Sequence, residues 1–175
     1  MSMIALLRKR RSVRRFEDRA IETEKVELLK EAVLRSPSSR NFDPWEFIFV
    51  EDKPLLEALS KSKTHGASFL KGAALGIVIC ADEAKCDVWV EDCSIASILA
   101  QLTAQSLGLG RCWVQIRNRF YENGTTSEAY IREILKIPDT IRVLSMIAVG
   151  YPAEQPEPIK RESLKDEKIH LNRWS

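Results

Sequence analysis

Polar and apolar positions change rhythm several times along the chain, and each change predicts an element. Residues 3–9 predict a short helix, followed by a polar, unperiodic loop. In "TEKVELLKEAVLRSP", Val26, Leu29, Val33 and Leu34 recur at helical spacing, which predicts a helix capped by Thr23 and stopped by Pro37. Two prolines then mark "PSSRNFDP" as a loop. The aromatic and β-branched "WEFIFVE" predicts a strand, and "KPLLEALSKS" a helix. The unbroken apolar run "AALGIVICA" has strand length and predicts a strand covered on both faces. Residues 90–107 form the longest helical stretch, with small and apolar residues on nearly every side. That pattern predicts a central, buried helix ended by Gly108 and Gly110. "RCWVQI" predicts a strand, "TTSEAYIREILKIP" a helix closed by Pro138, and "RVLSMIAVG" a last strand. The tail from residue 151 holds three prolines and little periodicity, as expected of an extended arm lying over another surface.

Helices and strands mixed along the whole chain predict helices packed on a sheet, in an α/β or α+β arrangement. At 175 residues, 45% hydrophobic and 30% charged, the expectation is one globular domain over residues 1–175, with 151–175 as an arm exchanged between subunits. No apolar run is long enough to cross a bilayer, and the apolar "MIALL" precedes the first charges, unlike a secretory signal. The cysteines at 80, 86, 93 and 112 form no CxxC pair, and His65 and His170 lie far from them. No metal site is expected, and a reduced, cytoplasmic setting is.

Six basic side chains crowd into residues 8–15: Arg8, Lys9, Arg10, Arg11, Arg14 and Arg15. The net charge is only +2, so the run is balanced elsewhere, which argues against a nucleic-acid partner. Planar arginine forks around Ser12 suit phosphate oxygens, although from these residues alone a solvated basic face is the reading to prefer, since charge blocks are usually just surface. Ser38, Ser39 and Asn41, between Pro37 and Pro44, offer short hydrogen-bonding groups to a polar heterocycle, or simply make a turn. "GLGRCWVQI" is not a dinucleotide fingerprint, because its glycines follow a helix and lack the GxGxxG spacing.

In their order, "RRSVRRF", "SPSSRNFDPW", "GLGRCWV" and "AVGYPAE" resemble the nitroreductase family of FMN enzymes, over nearly the whole chain from Arg10. The resemblance implies an α+β fold with a central, mostly antiparallel sheet flanked by helices. It also implies a homodimer whose C-terminal arms wrap the partner and whose two FMN molecules lie at the subunit interface. Arg10, Arg11, Ser12 and Arg14 match the family's first FMN segment: the first arginine and the serine face the phosphate and ribityl chain, and Arg14 the pyrimidine end. Pro37, Ser38, Ser39 and Asn41 match the loop brought by the other subunit, and Trp113, Gln115 and Ile116 the strand beside the flavin's reactive edge. Lys160 and Arg161 fall where a second phosphate-binding base is common. Asp43 departs from the family's usual glutamine, and only "DEAKCDVWV" stands where larger members carry a helical excursion over the pocket. The activity implied is oxidation of NADH or NADPH, with electrons passed to a small acceptor such as a nitroaromatic or quinone by alternating turnover. A flavin-storing or flavin-sensing protein on the same fold is the alternative. No catalytic side chain, nucleic acid or membrane partner is expected.

Overall fold

The computed structural model describes residues 2–174. Its organising element is the apolar run seen in the sequence, which forms strand β2 (Leu75–Asp82) and is buried from Leu75 to Ala81. β2 pairs with β1 (Trp45–Val50) on one side and β4 (Ile141–Gly150) on the other. β4 in turn carries β3 (Gly110–Gln115), giving the order β1-β2-β4-β3 with every pair antiparallel. β1 and β3 are therefore the sheet edges.

Alternation of side chains along the strands splits the core into two layers. Leu75, Ile77, Ile79, Ile147 and Val149 face helices α2 (Thr23–Leu34) and α4 (Trp89–Ser106). Val78, Cys80, Met146, Ala148, Val114 and Ile116 face the opposite layer, covered by α3 (Lys53–Ser60), the turn Ser68–Gly72 and α5 (Ser127–Leu135). The result is an α+β helix–sheet–helix arrangement. A register shift at Ile79/Cys80 interrupts the β2–β4 ladder, and the Leu144 carbonyl on the bulged strand accepts from the main-chain N–H groups of both Ile116 and Arg117. All four cysteines are free and buried, and burial pushes the Cys80 and Cys93 thiols up to about 12, which leaves them unreactive as packing groups.

Four expectations need correction. Thr23 is the first helical residue of α2, not its cap; Glu22 precedes it and makes no side-chain cap bond. Leu34 lies outside the buried face, because α2 turns it toward solvent at 62% exposure, while Val26, Leu29 and Val33 point inward. α4 is not buried all round: Cys93, Ala96, Ser97, Ala100 and Ala104 meet the sheet, but Ile95 and Ile98 are exposed. Small residues let the helix approach the sheet closely and leave the bulkier isoleucines outside. Finally, α5 ends before Pro138, at Leu135, because Lys136 adopts a left-handed conformation. Among the described residues no helix is long and apolar enough to cross a membrane. The tail beyond residue 152 is mostly exposed, with single turns at Arg161–Ser163 and Asp166–Lys168.

The carboxylate that does not cap α2 fastens it to the end of β4. The Tyr151 hydroxyl donates to Glu22, and Lys25 Nζ donates to that hydroxyl at 2.7 Å. The Arg19 guanidinium lies 3.8 Å over the Tyr151 ring. The Tyr151 hydrogen bond, with Lys25 beside it, holds the Glu22 carboxyl down at about 2, against an ordinary 4.5. The bond's contribution to folding is therefore complete above about pH 4.5 and is lost as the pH falls toward about 2. A carbon-detected NMR titration is expected to place the Glu22 midpoint near 2 in the native protein, and Tyr151→Phe to move it upward toward the ordinary range.

Candidate functional site

Helix α1 (Met3–Lys9) stops at Arg10, whose backbone is extended, and the chain then crosses the open edge of β3. The Val13 N–H donates to the Arg111 carbonyl at 3.0 Å. Two glycines make this approach possible. A Cβ on Gly110 would stand 2.8 Å from Val13 Cγ1, and one on Gly150 would stand 3.1 Å from the Phe16 ring. Val13 and Phe16 occupy the space those side chains would fill, so the segment lies flat against the ends of β3 and β4.

Pinning Val13 inward sorts the flanking charges. Arg11 Nη1 donates to the Glu157 carbonyl in the tail. Glu154 accepts from the main-chain N–H of Arg14 at 2.6 Å and Arg15 at 3.2 Å, and from Arg15 Nε at 3.1 Å. The backbone bond from Arg14 is the main reason the Glu154 carboxyl is held below the usual range. Arg11 and Arg15 thus tie down the root of the tail. Ser12 and Arg14 lie instead toward Cys112, with the Arg14 guanidinium 5.9 Å from the centre of the Phe69 ring. Among the described residues, neither Arg10 nor Arg14 has a carboxylate partner for its guanidinium.

The β3 edge beside them is chemically defined. Since the Arg111 carbonyl points outward to Val13, the main-chain groups of Trp113 and Gln115 point outward too. Lys63 Nζ donates to the Gln115 carbonyl at 3.1 Å, and burial with the charge of Arg119 holds its pKa below the ordinary lysine value. The side chains of Trp113 and Gln115 turn to the α4 face, where Trp113 Nε1 donates to Gln115 Oε1 at 3.0 Å. Ile116 is fully buried and its main-chain groups are already taken, its N–H donating to the Leu144 carbonyl and its carbonyl accepting from the Arg119 N–H, so the structure does not bring it to the open edge. Behind the edge, Arg111 is 4% exposed. Its Nη1 donates to the Arg11 carbonyl at 2.7 Å and its Nη2 to Gln105 Oε1, while Gln105 Nε2 donates to the Leu6 carbonyl at 2.8 Å. Burial, then the charge of Arg10, lowers the Arg111 pKa to about 10.

The loop carrying Pro37, Ser38, Ser39 and Asn41 lies elsewhere. Arg40, Asn41 and Asp43 all have positive φ, a strained run for residues other than glycine. It is held by the Ser39 N–H donating to Asp92 Oδ1 at 2.9 Å, and by Ser38 Oγ donating to Asp43 Oδ1 at 2.6 Å. Asp43 thus serves the loop's own geometry. Asp92 stands in the first turn of α4 and Gln105 in its last, about 20 Å apart along the helix axis. Within one protomer the structure therefore brings Arg10, Ser12, Arg14 and the β3 edge together, and leaves the 37–41 loop at the far end of α4. Arg11 faces the tail. Lys160 follows three residues after the Arg11–Glu157 contact, while Arg161 is paired with Asp166 at 2.8 Å.

These groups fit FMN. Two guanidiniums free of acid partners suit a phosphate dianion and an electron-rich heterocycle, and an edge of main-chain donors and acceptors suits a flat, polar ring. Among the described residues no cluster suited to a metal ion occurs. Sequence reasoning missed Arg111, Gln105, Lys63 and Glu154. The available signal was Arg111 itself, a charge at the start of a strand that otherwise reads as buried.

Comparison with known proteins identifies the family. Residues 7–151 match the sequence model of the nitroreductase family. An FMN-dependent nitroreductase structure from Clostridium difficile superposes with a TM-score of 0.96 at 45% identity, covering 98% of this chain and 100% of that one. A protein from Archaeoglobus fulgidus, named provisionally as an NADH dehydrogenase or NAD(P)H nitroreductase, is 35% identical over 94% of each chain. The FMN reductase [NAD(P)H] of Bacillus subtilis is 25% identical over 97% of this chain and 75% of its own length.

The contact between Val13 and Gly110 is testable as a pair. Gly110→Ala is expected to cost about 1–3 kcal/mol in urea unfolding, from overpacking against Val13. Val13→Ala in the same background should return part of that loss, so that the double variant is more stable than the two single losses added together. Simple additivity would show that the two residues do not press on each other.

Proposed function

The chain belongs to the nitroreductase family, and from that premise we propose that it is a homodimer passing reducing equivalents from NADH or NADPH to a small oxidised acceptor, such as a nitroaromatic or a quinone. It is an NAD(P)H-dependent flavin oxidoreductase with FMN as its cofactor. The observation that carries the finer reading is the placement of Arg10, Ser12 and Arg14 beside the open edge of β3, with neither guanidinium committed to an acid.

In this reading Arg10 and Ser12 hold the phosphate and ribityl end, with Lys160 or Arg161 as a second base from the tail. Arg14 lies at the pyrimidine end, beside Phe69. Positive charge there favours negative charge developing on the ring system. The outward main-chain groups of Trp113 and Gln115, and the Lys63 ammonium against the Gln115 carbonyl, fix the ring's reactive edge. When bound, FMN supplies the hydride and electron chemistry. The protein supplies binding, orientation and field, and no side-chain nucleophile takes part. One open pocket serves donor and acceptor in turn, which gives alternating turnover.

Dimerisation reconciles a shared site with the separation of about 20 Å between the two ends of α4. A two-fold axis crossing α4 sets the start of one helix beside the end of its mate, so that Pro37, Ser38, Ser39 and Asn41 of one protomer reach the arginines of the other. The exposed Ile95 and Ile98 on α4, with Met3, Ile4 and Leu7 on α1, supply an apolar face for that contact. The tail, with Ile159, Leu164, Ile169, Leu171 and Trp174 exposed, supplies the wrapping arm.

The purified protein is expected to show the two visible bands of oxidised flavin. NADH or NADPH should bleach them without air, and an added quinone should restore them. Bleaching that never occurs would leave a flavin carrier rather than an enzyme. Arg10→Ala is expected to weaken FMN binding about ten- to a hundredfold, the loss of one charge-assisted contact. A variant that keeps wild-type affinity would remove Arg10 from the site. Light scattering should give twice the monomer mass; a flavin-saturated monomer would refute the shared site.

A further inference from the structure

Arg111 is the one strongly buried arginine among the described residues, at 4% exposure. Its fixed contacts are all neutral: the Arg11 carbonyl accepts from Nη1 and the Gln105 side-chain oxygen from Nη2, while Nε has no partner. Among the described residues no carboxylate is paired with it. The largest charge effect on it is repulsive, from Arg10. A buried charge without a counter-ion is expensive to keep, and folded proteins rarely retain one. The acid that shares its cleft is already engaged, since the Glu154 carboxylate accepts from the main chain of Arg14 and from Arg15. The side chain lines a cleft of about 310 Å³ with Lys9, Arg11 and Glu154, so the cations there outnumber the one acid, whose carboxylate is already taken by Arg14 and Arg15.

Shape gives the second observation. The guanidinium of Arg111 grips the carbonyl of Arg11, in the middle of the Arg10-Arg11-Ser12 run that the proposed function assigns to the cofactor phosphate. It therefore sits behind that run, on the β3 side, with its charge added to the field in front of it. We propose that Arg111 is a positioning residue for the cofactor's phosphate: its buried charge is neutralised only when a phosphate dianion occupies the groove at Arg10 and Ser12, so it selects phosphorylated flavin over the unphosphorylated one. The inference rests on the FMN reading, and it predicts a selectivity that a purely mechanical clamp would not produce.

The test compares FMN with riboflavin, which has the same ring and ribityl chain but no phosphate. Dissociation constants of both are measured on the flavin-stripped dimer by fluorescence quenching, for wild type, Arg111→Met and Arg111→Lys. In wild type FMN is expected to bind far more tightly, with a preference that shrinks as salt rises. Arg111→Met is expected to cut the FMN-to-riboflavin preference about tenfold, chiefly by weakening FMN. Arg111→Lys keeps the charge and loses the fork, and should retain the preference to within about threefold. A second readout is thermal stability without flavin, which should rise or hold in Arg111→Met once the uncompensated charge is gone. Equal weakening of both flavins in Arg111→Met, or an unchanged preference, would overturn the proposal and leave Arg111 a mechanical clamp. If Arg111→Met does not fold, Arg111→Gln, which can still donate to the Arg11 carbonyl, takes its place: a reduced preference supports the proposal and an unchanged one overturns it. A wild-type protein that binds neither flavin would instead sink the FMN reading itself.

Discussion

The contact on which the site depends is the seating of Val13 against Gly110. An edge strand normally exposes a row of main-chain donors and acceptors. Here that edge is partly closed by the protein's own N-terminal segment, through one ladder-like bond to Arg111 and two apolar plugs over glycines. Because Val13 must point in, its neighbours have no freedom in where they go. Arg11 and Arg15 reach the tail, while Ser12 and Arg14 stay over the sheet edge. A run of like charges that would otherwise be an undirected basic patch becomes two sets with different work.

The same logic governs the rest of the sheet. β2 and β4 are buried on both faces and supply rigidity, so chemistry is left to the periphery, where β3 meets the segment from α1. α4 acts as a ruler between the two polar clusters. Its small residues seat it on the sheet, its first turn holds the strained loop through Asp92, and its last turn holds α1 through Gln105 and, by way of Arg111, the basic segment. Strain in the loop, at Arg40, Asn41 and Asp43, is sustained by bonds that reach outside it.

Much of this is legible in the sequence, and the parts that are not share a cause. The strand "AALGIVICA" and the helix around Val26, Leu29 and Val33 follow from periodicity, because burial there is set by local pattern. Leu34 departs from the pattern because, one residue and about 100° beyond Val33, it turns off the face that meets the sheet. Thr23 has the chemistry of a cap, but the bond of Tyr151 to Glu22 is made across 129 residues and fixes the helix start in another way. The basic run announces an anion site, yet the division of labour among its arginines depends on Gly110, nearly a hundred residues away. Arg111 is hidden for the same reason: a charge in a strand acquires meaning only when its surroundings are known to lack an acid.

The root of the tail carries a consequence for how the molecule is made. Arg11 meets Glu157 across 146 residues, and the Arg14 main chain meets Glu154 across 140. The arginine run is made well before the residues that restrain it, so this corner closes after the sheet has formed. Until then its cations are hydrated and mutually repelling, and the nascent chain has no competent grip on a nucleotide. Ligand capture is thereby deferred until the root of the tail is in place, a checkpoint written into topology rather than into any switch.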